Sequence, residues 1–93
     1  MTIAEKLKFI ADNYGLESRL EKTKEELEEL RVAIEDCQHY GLTNKTKLAI
    51  VDEIADVLIL CRELEFLIGN KLVGDRVQFK LDRQIKRINN NEQ

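Results

Sequence analysis

With 93 residues, 43% of them hydrophobic and 35% charged, the chain is sized for one small domain, and its composition argues against disorder. A formal net charge of −3 argues against nucleic-acid binding through overall charge. No apolar run approaches a membrane span and the opening MTIAEKLKFI alternates charge with apolar residues, so a cytoplasmic protein with no membrane partner is expected. A domain this small buries only about 60–65% of its unfolded surface, which makes association into an oligomer an expectation as well. The charge is uneven: residues 1–36 hold ten acids and six bases, residues 71–93 six bases and three acids. Such a division suits a site where cations meet phosphates, or two segments that attract each other.

There is no proline, and Gly15, Gly41, Gly69 and Gly74 stand where breaks are expected. Thr2 with Glu5 forms a capping-box pattern for a helix over about 3–13, closed by Asn13, Tyr14 and Gly15. A long helix is expected over about 16–40, its core stripe being Leu16, Leu20, Thr23, Leu27, Leu30, Ile34 and Cys37. GLTN at 41–44 supplies turn and cap residues for a third helix over about 45–68. Its interior, IVDEIADVLILC, is apolar over most of its circumference, so it is buried on more than one side, in part by a partner chain. A fourth helix is expected over about 75–89, capped by Asp75, with Val77, Leu81, Ile85 and Ile88 inward and a frayed tail at about 89–93. The expected fold is all-α: a bundle of about four helices in a single domain, its core completed by dimerisation.

Cys37 and Cys61 fall on apolar faces of different helices, with no C-x-x-C pair and no set of neighbouring histidines to complete a zinc site, which favours buried free thiols. The single His39 lies beside Tyr40 and Gly41 near a helix end, where capping or solvent exposure is expected.

The carboxylates carry the functional signal. Glu26 and Glu29 are three apart and share a helix face, whereas Glu25 and Glu28 project to its flanks. Glu53 and Asp56 repeat that spacing inside the apolar run, where an unpaired carboxylate costs several kcal/mol or loses its charge. Four such groups brought together repel, each like pair by about 4 kcal/mol at ~4 Å and an effective dielectric near 20, and a divalent cation reverses the sign. An all-oxygen set favours Mg²⁺, with Mn²⁺ as the substitute, and Mg²⁺ held by carboxylates recruits substrate phosphate. On the last helix Arg76, Lys80, Arg83 and Arg87 form one basic stripe suited to phosphate oxygens. Each feature has a plainer reading: the EELEE run as a solvated salt-bridged face, the basic stripe as a solvent face, and Asp56 as an intersubunit partner of Arg83 or Arg31. The three together favour a metal–phosphate site.

The order Glu25, Glu26, Glu29, then EIADVLIL at 53–60, then the basic FKLDRQIKRI at 79–88 resembles the MazG-like all-α nucleoside triphosphate pyrophosphohydrolases, across about residues 14–88. YGLESRLEKTKEELEEL looks like the compact single-domain members of phages and Gram-positive bacteria. The resemblance implies Mg²⁺-dependent hydrolysis of a nucleoside triphosphate between its α- and β-phosphates to a monophosphate and pyrophosphate. It makes Glu26, Glu29, Glu53 and Asp56 the metal ligands, Glu25 or Glu29 the group acting on water, and Lys80 and Arg83 the phosphate contacts, with Arg87 on the same basic stripe. Gln78 and Gln84 stand where related proteins often carry asparagine and arginine. Dimers, or tetramers built as pairs of dimers, are implied too. Phe9 and Tyr14 are candidates for a base pocket. The alternatives are a non-catalytic nucleotide-binding or regulatory module of the same fold, and a structural coiled coil.

Overall fold

The computed structural model describes residues 1–91, among which there is no strand. Three helices follow in order: α1 (Ile3–Tyr40), α2 (Asn44–Ile68) and α3 (Asn70–Asn89). The first two expected helices are one element, interrupted at Gly15, whose φ of 82° and ψ of 170° are not helical. This conformation is almost confined to glycine, so the break sits where the sequence placed it. The last helix differs from expectation: it starts at Asn70, contains Gly74 within its length, and uses Asp75 to pair with Lys71 at 2.8 Å rather than as a cap. Gly69, at φ 152°, makes the break instead. Of the tail expected to fray, Asn89 ends α3 and Asn90 is its cap, whereas residues 92 and 93 lie outside the described residues.

The caps are built as the sequence suggests. Thr2 Oγ1 accepts from the Glu5 amide at 3.1 Å and Glu5 accepts from the Thr2 amide at 2.8 Å, and these bonds hold the Glu5 carboxyl below its usual range. Thr43 and Thr46 cap α2 in the same reciprocal way. The Thr-x-x-Glu pattern at Thr23 and Glu26 only imitates a cap, for Thr23 Oγ1 donates to the Arg19 carbonyl at 2.6 Å inside α1.

α1 and α2 are joined by residues 41–43 and pack against each other as a hairpin. From Arg19 on, the covered positions of α1 are Arg19, Thr23, Glu26, Leu30, Ala33 and Cys37; those facing them include Thr46, Ile50, Glu53, Val57 and Leu60 of α2. Both sets step alternately by four and three, the period of a two-helix seam. The expected stripe therefore divides. Thr23, Leu30 and Cys37 turn inward, but Leu16, Leu20, Leu27 and Ile34 stay exposed on one flank. The seam centre belongs to smaller or polar side chains, and Cys61, expected buried, is exposed.

Helical phase divides the hairpin into two unlike surfaces. One groove joins Glu29, Val32 and Asp36 of α1 to Ala49 and Glu53 of α2; a second joins Lys22 and Glu26 to Asp56 and Ile59. This side is acidic. Leu16, Leu20, Leu27 and Ile34 lie around α1 away from those grooves, and Val51, Ile54 and Leu58 do so on α2, so the opposite side is apolar and open.

One ion pair ties the hairpin near its open end: Arg19 Nη1 lies 3.4 Å from Oε1 of Glu63, which is 1% exposed. Arg19 also stacks over Tyr14 at 4.2 Å. Little else is sealed within one chain, since Ala11, Ala33 and Leu60 are its buried hydrophobic residues. The surface is 7440 Å², against about 5,500 Å² for a compact monomer of this mass. The radius of gyration is 16.1 Å, against about 12 Å for a globule of this length.

Two glycines separate the roles of these residues. At Gly15 a Cβ meets nothing within 4 Å, so Gly15→Ala isolates backbone strain and is expected to destabilise by about 1–3 kcal/mol. Gly74→Ala, also free of contacts but inside α3, is expected to stabilise by about 0.5–1 kcal/mol. Denaturant unfolding of both variants checks the pair, and equal effects would refute the assignment.

Candidate metal centre

The site begins with a conflict inside the seam. Glu26 occupies an inward position of α1 at 8% exposure, opposite Glu53 and Asp56, which are one turn apart on α2. One carboxylate oxygen from each of the three lies within 4.8 Å of the others. Oε2 of Glu26 and Oε2 of Glu53 are buried without a hydrogen-bond partner. A buried carboxylate oxygen left unpaired is costly, so the arrangement calls for a cation.

One positive group already stands at the edge. Lys22 Nζ lies 3.5 Å from Glu26 Oε1 and 3.3 Å from Glu25 Oε2, and its own pKa is raised by these partners. The Glu26 carboxyl is nonetheless held above its ordinary value, first by the neighbouring Glu29 carboxyl and then by burial; Lys22 opposes this shift.

Three oxygens from rigid helices, with no histidine or thiol among them, suit a hard divalent cation with open positions for water or phosphate. Glu26, Glu53 and Asp56 are the side chains that could hold a metal ion.

The remaining candidates are placed differently. Glu29 is exposed, on the wall of the adjoining groove with Glu53, one turn from Glu26 and outside the three-carboxylate cluster. Glu25 is exposed and tied to Lys22. Glu28 faces solvent in a fork with Arg31, which keeps its carboxyl below the usual range. Lys80, Arg83 and Arg87 are exposed on α3, which packs on α2 alone among the described residues, and none of the three forms an ion pair there. Arg76 and Arg83 lie over the Phe79 ring, at 4.8 and 5.9 Å. One chain therefore brings together the carboxylates but not the basic stripe. His39 is exposed in the last turn of α1, edge-on to Tyr40, and Phe9 and Tyr14 are exposed as well.

Sequence reasoning overlooked Lys22, Arg19 and Glu63. Lys22 carried a usable signal, standing four residues before Glu26 on a helix. Arg19 and Glu63 are 44 residues apart and meet only through the hairpin.

The raised Glu26 value has a signed consequence. A carboxyl whose native pKa is raised favours the fold while protonated and loses that contribution as pH climbs above the ordinary glutamate range. In chelator, Glu26→Gln is therefore expected to melt higher than the parent at pH 7, the difference vanishing as pH falls below that range. Added Mg²⁺ is expected to raise the melting temperature of the parent and not of the variant. Thermal melts with and without chelator from pH 4 to 8 test this, and a variant that melts lower at pH 7 would refute it.

Comparison with known proteins finds no matching family model, no matching curated protein and no matching solved structure.

Proposed function

We propose that the chain is a Mg²⁺-dependent nucleoside triphosphate pyrophosphohydrolase of the MazG-like kind, working in the cytoplasm as a homodimer or a pair of dimers. The observation that carries this reading is the convergence of Glu26, Glu53 and Asp56 on one point, with buried oxygens left unpartnered. When bound there, the cation supplies charge neutralisation at the phosphates and acidifies a coordinated water.

The chain's own groups divide the remaining work. Glu26, Glu53 and Asp56 hold and orient from two helices, so their geometry is rigid. Glu29, on the groove wall one turn from Glu26, accepts the proton of the attacking water, and Glu25 is its substitute. The water oxygen bonds to phosphorus as the α–β anhydride bond breaks, and pyrophosphate leaves with the bonding electrons. Lys80, Arg83 and Arg87 bind phosphate oxygens, the arginines as forks and the lysine as a point charge.

One observation favours a second reading, a nucleotide-binding or regulatory module without turnover. Within one chain the basic stripe of α3 stands away from the carboxylates.

Pyrophosphate release from a panel of nucleoside triphosphates with Mg²⁺ or Mn²⁺ tests the proposal. Glu53→Gln and Asp56→Asn are each expected to lower kcat by about 100-fold or more with helical content unchanged, whereas the solvent-exposed Glu35→Gln leaves it unaltered. Tight nucleotide binding without release favours the second reading. Neither binding nor release across the panel refutes both.

A further inference from the structure

Lys22 divides its charge between two unlike carboxylates. Its ammonium donates to Glu25 Oε2 at 3.3 Å and lies 3.5 Å from Glu26 Oε1. Glu25 stands in solvent, whereas Glu26 is buried and faces Glu53 and Asp56 across the seam. Arg19, the other positive group of the groove that joins Lys22 and Glu26 to Asp56, is engaged by the buried Glu63. Lys22 is therefore the one side chain of that groove whose positive charge serves the cluster.

It answers the need of the cluster only in part. One ammonium at the edge reaches one oxygen of Glu26 and leaves Oε2 of Glu26 and Oε2 of Glu53 buried without a partner. A divalent cation among the three carboxylates brings twice the charge and further coordination positions. That cation and the ammonium repel, and both draw on the Glu26 carboxylate, so they compete for it. The lysine can yield without any movement of the backbone, because its stem is flexible and half-exposed and Glu25 is already within hydrogen-bond reach. A turn about the stem that breaks the longer contact keeps the shorter one.

We infer that Lys22 is a tethered counter-ion that sets the cation affinity of the cluster: without a divalent cation it sits on Glu26, and when one enters it passes to Glu25. This rests on the reading of Glu26, Glu53 and Asp56 as a cation site. Spacing on α1 builds the device. Lys22, Glu25 and Glu26 stand at i, i+3 and i+4, so one lysine reaches both carboxylates, and of the two only Glu26 turns into the seam. Lys22 offsets part of the carboxylate repulsion in the cation-free protein and, through the same interaction, lowers the affinity for the cation. Glu25 raises that affinity by receiving the ammonium.

The test is a double-mutant cycle on the full-length protein, read by calorimetric titration with Mg²⁺ and with Mn²⁺ at about 0.15 M KCl, where distant surface charges are screened. Lys22→Met is expected to tighten binding by about 5-fold or more, the low end of ordinary coupling between two ligands. Glu25→Gln is expected to weaken binding in the parent and to leave it unchanged in the Lys22→Met background, because Glu25 acts through the lysine. Unchanged affinity in Lys22→Met, or equal weakening by Glu25→Gln in both backgrounds, overturns the exchange and leaves the metal centre standing. No binding of either ion by the parent or by Lys22→Met overturns both. Melting curves give a second readout: in chelator Lys22→Met is expected to melt lower than the parent, and saturating Mg²⁺ is expected to close that gap. A gap of the same size in chelator and in Mg²⁺ marks an ordinary surface ion pair and overturns the exchange. Lys22 and Glu25 are 48% and 66% exposed at their side chains, so neither substitution threatens the fold.

Discussion

The zipping of α1 against α2 along a repeat of alternating four and three governs the rest of the molecule. It sets which side chains of each helix face the other, and so puts Glu26 across from Glu53 and Asp56 and Arg19 across from Glu63. The same phase sends Leu20, Leu27, Ile34, Ile54 and Leu58 to one side of the hairpin and Glu29, Glu53 and Asp56 to the other. Separate surfaces for charge and for apolar contact follow from one geometric relation.

That seam is unusual in what it buries. Thr23, Glu26, Thr46 and Glu63 are buried polar residues, as against Ala11, Ala33 and Leu60 among the apolar ones. Each polar group needs a partner, and three have one: Thr23 bonds the Arg19 carbonyl, Thr46 bonds Gly41 and Thr43, and Glu63 pairs with Arg19. Glu26 is the exception, reached on one oxygen by Lys22 and unpartnered on the other. Of these four, Glu26 alone keeps a buried oxygen without a partner, and it stands in the three-carboxylate cluster.

Much of this was legible in the residues. The capping box at Thr2 and Glu5, the break at Gly15 and the all-helical character follow from local chemistry. The cluster was legible because two carboxylates at helical spacing inside an apolar run need a counter-charge; that reasoning set Glu26 and Glu29 together against Glu53 and Asp56, and the structure brings in Glu26 but leaves Glu29 one step aside on the groove wall. Other features were hidden for physical reasons. Gly69 and Gly74 look equivalent in the sequence, yet one takes a positive φ and the other continues a helix. The leucines of α1 read as core because an apolar side chain carries no mark of whether its own chain or another covers it.

The one-residue junction at Gly69 has an evolutionary side. Inserted loops are tolerated readily in helical proteins, since each doubling of loop length costs only about 0.6 kcal/mol, so a slightly longer hinge is easily reached by mutation. Such a hinge would let α3 lie on its own hairpin. Keeping the hinge this short is a selectable trait, for it holds the apolar stripe of α3, and with it the basic residues alongside, off the hairpin of its own chain.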